Sequence, residues 1–516
     1  MSDIIISPQF TEVLDLLEHS SAHLFITGKA GTGKSTLLTY FREHTKQPLV
    51  VLAPTGVAAV NVGGETIHSF FHFSPHITVK EAQRSAYFTK SAELYRTLEI
   101  IIIDEISMVR SDLLDCMDVF LKAVRGNAEA FGGVRMIFFG DLYQLPPVVM
   151  RNEYDTFKTL YQSEWFFDAT VMHEIMDSDD NRFVMVELET IYRQSDPDFI
   201  ELLAAIRLRT IQDHHLEKLN ERVKTGSLSG KEELAPITLT GRRDTAATIN
   251  AQHLDSLAGQ PKLYAAVHTG KFPDGHLPTE GQLALKVGSR VMFVANDPDD
   301  RFVNGTLGTI TELMDDSVKV KIDRGRTLEI EPHTWELSKT VLSSDTNELE
   351  KEKVGSFKQL PLMLAWAVTI HKSQGKTFDS IVVNLAQGAF AHGQVYVALS
   401  RCRTFEGITL IHPVTANDIK MNWRVSQFLT NYEYRQADKA QSREEKMQLI
   451  QDAIEMGTAI TITYLKGINE KSVQQIRPRS LGQMSYAGKQ FVGVVAYPAD
   501  REQEMTFNAE KILKIG

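Results

Sequence analysis

Apolar residues in this chain first come in short unbroken runs. HLFITG (23–28), PLVVLAPTG (48–56), LEIIIIDE (98–105) and VRMIFFGD (134–141) each end in small or acidic residues. Nearly continuous runs of that length are the pattern of parallel strands buried on both faces. The segments between them carry helical patterns, so the first third reads as an α/β domain. PITLTGR (236–242), SIVVNL (380–385) and GITLIH (407–412) repeat the pattern and predict a second α/β domain. Between the two halves of that domain the period shortens. SRVMFVAN (289–296), NGTLGTITEL (304–313), SVKVKID (317–323) and RTLEIEP (326–332) predict a small β-barrel insert.

The expected organisation follows from these changes of texture. Residues 1–70 and 99–190 form the first α/β domain, interrupted by a short insert at 71–98. Residues 191–274 and 356–430 form the second, interrupted by the β insert at 275–355. The charged, helix-favouring stretch 431–454 reads as a linker, and 455–516 as a final, mainly β module containing AITITYL and KQFVGVVAY.

Composition narrows the class. At 516 residues, 43% hydrophobic and 23% charged, the chain is an ordinary globular protein of several domains. Its two cysteines, Cys116 and Cys402, imply neither a disulfide framework nor a zinc site. MSDIIISPQF has no basic region before a long apolar segment, and no run reaches transmembrane length. A cytoplasmic location without a membrane partner is the expectation. The net charge of −11 argues weakly against a nucleic-acid partner, but binding depends on a local groove and not on the mean.

Chemistry enters with GKAGTGKS (28–35), which follows a predicted buried strand and opens a predicted helix. That is the setting of a phosphate-binding loop. Gly28, Ala30, Gly31, Thr32, Gly33 and Thr36 frame the nucleotide. Lys34 can reach the β- and γ-phosphate oxygens, and Ser35 can offer its hydroxyl to Mg²⁺. Asp104 and Glu105 end the four-isoleucine strand. The Asp suits the Mg²⁺ site and the Glu can polarise an attacking water; the competing reading is an acidic pair capping the next helix. Gln144, after FFGD, can touch the γ-phosphate and that water. Arg193 in IYRQ and Arg401 in VALSRCR, with Arg403 as a competitor, can supply guanidinium groups from the other domain.

A further set lacks triphosphate chemistry. Thr55, with Pro54 and Gly56 beside it, then Thr66 and His68, then His371, Ser373 and Gln374 supply hydroxyl, imidazole and amide donors, and Phe70, Phe71 and Phe73 supply aromatic faces. Phosphate donors beside stacking platforms suit a single-stranded nucleic-acid track. The competing reading is core packing for the aromatics and a structural role for the histidines.

The motifs together resemble superfamily-one helicases of the 5′→3′ branch, and within it the PIF (petite-integration-frequency) family in a bacterial version. GKAGTGKS is similar to motif I, APTGVAA to Ia, GGETIHSFF to Ib and IIIDEISMV to II. GDLYQLPPV is similar to III, IYRQ to IV, AWAVTIHKSQGKTFD to V and VYVALSRCR to VI; DLLDCMDVFLKAVRGN resembles the family's signature segment. The resemblance covers roughly residues 7–430. It implies two RecA-like domains with ATP and Mg²⁺ between them, a wedge at 71–98 and an SH3-like insert. It also implies an adenine-reading glutamine, best matched by Gln9, and adds Gly375 to the nucleotide set. The implied activity is ATP-driven 5′→3′ unwinding in genome maintenance, including repair and recombination, by a monomer. Single-stranded DNA and tailed or forked duplexes are the implied partners, with R-loops and G-quadruplexes as further substrates. The alternative is an ATP-gated switch that remodels nucleic-acid complexes without processive unwinding. The tail resembles a WYL domain, with Tyr464, Arg477 and Arg479 as its contact residues and a nucleic acid, a ligand or a protein as its partner.

Overall fold

The computed structural model describes residues 7–516 except 179–181, 225–235, 271–276, 300, 324, 344–348, 386–387, 467–469, 487–488 and 502. The chain divides into two compact units, Met1–Lys420 and Met421–Gly516.

The first unit begins with helix α1 (Pro8–His19), N-capped by Ser7, which accepts from the Phe10 amide. Strand β1 (His23–Gly28) leads through the glycine loop into helix α2 (Lys34–His44). Strands β2 (Leu49–Ala53), β3 (Glu65–Thr66), β4 (Ile100–Ile103), β5 (Arg135–Phe139) and β6 (Phe183–Leu188) complete a parallel sheet in the order β3-β2-β4-β5-β1-β6. All four isoleucines of β4 are buried, so both faces of the sheet are covered, as the unbroken apolar run predicts. A parallel sheet collects its strand ends on one edge, and the ends of β1, β4 and β5 bear the phosphate loop, Asp104 and Asp141.

A second parallel sheet runs Ala367–Thr369, Ile237–Thr240, Ile381–Asn384, Ile408–Leu410. The β insert is present but wider than 275–355. Its five-stranded antiparallel sheet is closed by Leu362–Leu364, which pairs with Arg290–Phe293, and Lys262–Ala265 pairs with Gln282–Leu285 into the same core. LPLML is as apolar as the parallel strands around it, which hides its membership of the insert. A long hairpin, His333–Leu342 with Leu349–Gln359, extends from this region.

Residues 71–98 contain two short helices, Val79–Ala86 and Ala92–Thr97, the first closed by a capping box between Thr78 and Glu81.

The second unit contains helices Trp423–Ala440 and Arg443–Met456 and a five-stranded antiparallel sheet. Here the expected linker at 431–454 is corrected. Ile450 and Ala453 are buried against Ile462, Ile476 and Val494, with Met447 and Ile454 packed on the same cluster. Apolar residues at 447, 450 and 454 form one stripe of a helix, so this segment belongs to the core of the C-terminal unit.

Candidate nucleotide site and nucleic-acid track

The phosphate loop needs its glycines. Gly31 and Gly33 have φ of +85° and +84°, where a Cβ is strained. A Cβ on Gly31 would lie 2.5 Å from the Cβ of Arg193, and one on Gly33 would lie 2.8 Å from the ring of Phe10. The close approach therefore brings Arg193 onto the loop; the Tyr192 amide donates to Gly31 O at 2.9 Å. Lys34 Nζ donates to Gly28 O at 2.7 Å and Lys29 O at 3.0 Å. Ser35 and Thr36 stand exposed in the first turn of α2, and the Thr32 hydroxyl is turned inward to Lys29 O. Ala30 donates its amide to the Tyr396 hydroxyl at 2.8 Å.

Asp104 and Glu105 face the loop from the end of β4. Glu105 has φ +52°, a left-handed conformation that is costly outside glycine and common at functional sites. Burial, and then the neighbouring Glu105 charge, pushes the Asp104 carboxyl up to about 7. Burial also raises Glu105, against the opposing pull of Lys34 and Arg401. Gln144 is buried in the turn after β5, where its backbone N–H donates to Asp141 O at 2.9 Å. That turn meets the second domain at Gly393, where a Cβ would lie 2.5 Å from Gln144 O.

Arg401 is buried, with Nε donating to Val397 O at 3.0 Å and a terminal nitrogen to Ser400 Oγ at 3.1 Å. Arg193 donates to Ser400 O at 3.2 Å. Burial, then Arg193, pushes Arg401 down to about 9. Arg403 instead lies at the surface, 3.5 Å from Asp379. Lys34, Arg193 and Arg401 are thus cations at one junction whose hydrogen bonds, among the described residues, go to neutral oxygens. Burying a cation without a direct ion pair is costly, and an anionic ligand relieves that cost. Ser35 and Asp104 provide a hydroxyl and a carboxylate beside this pocket, oxygen donors suited to a hard divalent cation.

Gln9 lies beside the loop but is held by β6: its amide donates to Glu187 O at 3.0 Å and accepts from the Glu189 amide at 3.1 Å. A role at adenine requires it to exchange these partners. Gly375 has φ +75° with open space on its Cβ side, and no hydrogen bond among the described residues ties it to the phosphate loop.

The candidate track divides. Thr55 and Thr66 accept from the Ala58 and Ser69 amides at 3.2 Å each, which leaves each hydroxyl proton to donate. Pro54 and His68 are half-buried, and Gly56 is buried at the start of the helix that Thr55 caps. His371 is half-buried and kept neutral by burial and then by Arg243. Gln374 has a buried amide nitrogen without a partner, a donor in want of an acceptor. Ser373 is corrected: it is fully buried and its hydroxyl donates to Ile370 O at 2.7 Å. Phe70 and Phe71 are corrected as stacking platforms. They are 3% and 1% exposed, packed with Phe73, Tyr95 and Phe120 in one aromatic cluster. The exposed rings nearby are Tyr87 and Phe88 of the insert.

Asp141, Arg207 and Tyr396 also belong to this junction. Asp141 was visible as a strand-end acid in FFGD, and Tyr396 shares a short segment with Arg401. Arg207 is the one basic residue within PDFIELLAAIRL, a helix otherwise apolar or acidic; a cation on such a helix signals a buried acid partner.

Comparison with known proteins agrees with this geometry. A sequence profile described as PIF1-like helicase matches residues 8–217. The ATP-dependent DNA helicase Pif1 of Bdellovibrio bacteriovorus is 33% identical over 423 residues, covering 79% of this chain and 88% of that protein. A crystal structure of Bacteroides sp Pif1 in complex with ADP-AlF4 is 38% identical, covers 83% of this chain and 97% of that one, and superposes with a TM-score of 0.74. Bacteroides Pif1 bound to ssDNA is 37% identical, covers 83% and 96%, and gives 0.58. The parallel sheet, the loop and these matches place the chain in the PIF1-like helicase family.

Proposed function

We propose that this chain is an ATP-dependent DNA helicase that moves 5′→3′ on single-stranded DNA and separates the duplex ahead of it. The observation that carries the reading is the convergence of Lys34, Arg193 and Arg401 on one junction, where their hydrogen bonds, among the described residues, go to neutral oxygens. Lys34 and the loop amides take the β- and γ-phosphates. Ser35 and Asp104 would hold Mg²⁺, which would neutralise phosphate charge when bound. Glu105, raised by burial, takes a proton from the attacking water, and Gln144 orients that water. Arg193 and Arg401 stabilise charge that develops on the transferring phosphoryl group, so hydrolysis requires the two α/β domains to be closed. Thr55, Thr66, His371 and Gln374 contact the DNA strand.

The better superposition on the ADP-AlF4 complex than on the ssDNA complex supports reading this arrangement as the DNA-free one. In it the long hairpin is tied to the first domain: the Thr340 amide and hydroxyl donate to Glu65 Oε1 at 2.5 and 2.7 Å. DNA entry would release that tie. Both cysteines are free and buried, and no helix among the described residues is long and apolar enough to cross a membrane, which supports a reducing, cytoplasmic location. The C-terminal unit is read as a WYL-like binding module. Arg477 is exposed on its sheet, while Arg479 is paired with Glu504 at 2.8 Å and Tyr464 packs on Phe507.

The test is unwinding of duplexes bearing a 5′ or a 3′ single-stranded tail. The expected result is ATP-dependent unwinding of the 5′-tailed duplex only, abolished in Lys34→Ala. Preference for the 3′ tail, or unwinding by Lys34→Ala at the normal rate, overturns the reading.

A further inference from the structure

Arg207 crosses the junction between the α/β domains and lines one small cavity with Lys29 and Ala30 of the phosphate loop, but its hydrogen bond goes to Asp141. It comes from the helix Pro197–Leu208, whose Phe199 packs against Phe405 of the second domain. Its guanidinium lies 3.2 Å from Asp141 Oδ1 and 3.2 Å from Glu187 Oε1, and 4.3 Å over the Tyr143 ring. Asp141 and Tyr143 belong to the turn after β5, the turn that carries Gln144. Both Arg207 and Asp141 are buried.

Two features set this pair apart from an ordinary structural ion pair. First, it is incompletely bonded: Asp141 Oδ2, Arg207 Nε and the Tyr143 hydroxyl are buried without hydrogen-bond partners. Buried polar groups are nearly always paired, so three unpaired ones around a single ion pair leave it open to a further polar partner. Second, Asp141 acts on the nucleotide site. It is the leading charge that favours the Lys34 ammonium, ahead of Glu105 and Asp104, and it also acts on Glu105, Tyr396 and Arg401. The second domain grips the same turn elsewhere, through His392 Nε2 on Leu142 O at 2.8 Å.

We propose that Arg207 is a positioning residue for ATP hydrolysis: from the second domain it holds Asp141, and through Asp141 the Gln144 turn and Lys34, in the arrangement that turns ATP over. This rests on the helicase reading above. Arg207 acts on the enzyme's own turn and not on the nucleotide, so its loss lowers kcat and leaves nucleotide affinity nearly intact.

Removing Arg207 alone leaves Asp141 as a buried uncompensated charge, which by itself destabilises the fold. The test is therefore a double-mutant cycle of Arg207→Met and Asp141→Asn in the full chain, with Arg207→Lys as the conservative variant. The readouts are melting temperature, KM for ATP and kcat of DNA-stimulated hydrolysis. The expected results are a kcat at least tenfold lower in Arg207→Met, KM within threefold of wild type, and partial recovery in Arg207→Lys. The double variant is expected to regain the melting temperature but not kcat, and to lose no more activity than the worse single variant. Three results overturn the proposal: kcat within twofold of wild type in Arg207→Met, losses that multiply in the double variant, or kcat restored along with stability. Wild-type ATPase without DNA stimulation would instead sink the helicase reading, so the two failures are distinct.

Discussion

The hydroxyl of Tyr396 accepts the amide proton of Ala30 at 2.8 Å, which ties a side chain near Arg401 to the backbone of the phosphate loop. Tyr396 is buried in the helix Gln394–Leu399, and its phenol is kept protonated by that burial. One bond thus reports to the loop whether the second domain is in place.

Tyr396→Phe keeps the ring and removes the acceptor. A buried N–H left unpaired costs about 1–3 kcal/mol, which shifts the open–closed balance by roughly 5- to 150-fold. The expected outcome is a fall of that order in kcat for ATP hydrolysis with a folded protein, read by DNA-stimulated ATPase and circular dichroism. Wild-type turnover would show that the bond does not couple the domains.

The latch between Glu65 and Thr340 gives a second prediction. Glu65 is 5% exposed, and one of its oxygens accepts both the amide and the hydroxyl of Thr340. Glu65→Ala removes both bonds and frees the hairpin. Faster hydrogen exchange at the Thr340 amide is expected, by about tenfold or more for a lost charge-assisted bond. Single-stranded DNA added to the wild-type protein is expected to produce the same change. Unchanged exchange in both experiments would remove the hairpin from the DNA response.

How much of this was legible depended on whether the signal was local. The parallel strands, the glycine loop and the acids Asp104, Glu105 and Asp141 lie in runs where apolarity and turn residues leave little choice. That Arg193 and Arg401 belong with the loop was an expectation from the joint pattern of motifs, and the fold brings Arg193 against Gly31 and Ser400. Phe70 and Phe71 misled because a ring in sequence carries no sign of which side it faces; the rings they pack on, Tyr95 and Phe120, lie 24 to 49 residues further on. Ser373 failed for a similar reason, its hydroxyl being absorbed by its own turn. Arg207 was missed because its partners, Asp141 and Glu187, belong to another domain and only the fold unites them.

His392 makes the domain junction acid-sensitive. Its Nε2 lies 2.8 Å from Leu142 O, so the neutral ring donates there. Burial pushes it down to about 4, against the Leu142 bond and the Asp141 charge, which favour the cation. A depressed base contributes stability above its unfolded value near 6.5, and that stability is lost as pH falls from there toward 4. At about 1.4 kcal/mol per pH unit, one proton is worth up to ~3 kcal/mol across this window. His392→Gln keeps an N–H for Leu142 and removes the titration. The melting temperature of the variant is expected to decline less steeply between pH 6.5 and 4.5 than that of the wild type. Parallel declines would count against His392.

The wedge proposed at 71–98 is the place to tell unwinding from mere ATP-gated binding, but it cannot simply be deleted, because Phe71, Phe73 and Tyr95 help to build the aromatic core. Tyr87 and Phe88 are the useful handles. They follow the helix Val79–Ala86 and are 71% and 74% exposed, so they contribute little to packing. Adjacent exposed rings are an unusual surface for a globular domain, and a base-pair face is a partner that fits them. The Tyr87→Ala/Phe88→Ala protein should melt within a few degrees of wild type and keep DNA-stimulated ATPase within about twofold, since the nucleotide junction is untouched. Unwinding of a 5′-tailed duplex should fall by at least about fivefold, the scale of one to two lost stacking contacts. Equal unwinding by the variant and the wild type would remove these rings from strand separation. Equal losses of ATPase and unwinding would place them on the strand-binding track instead.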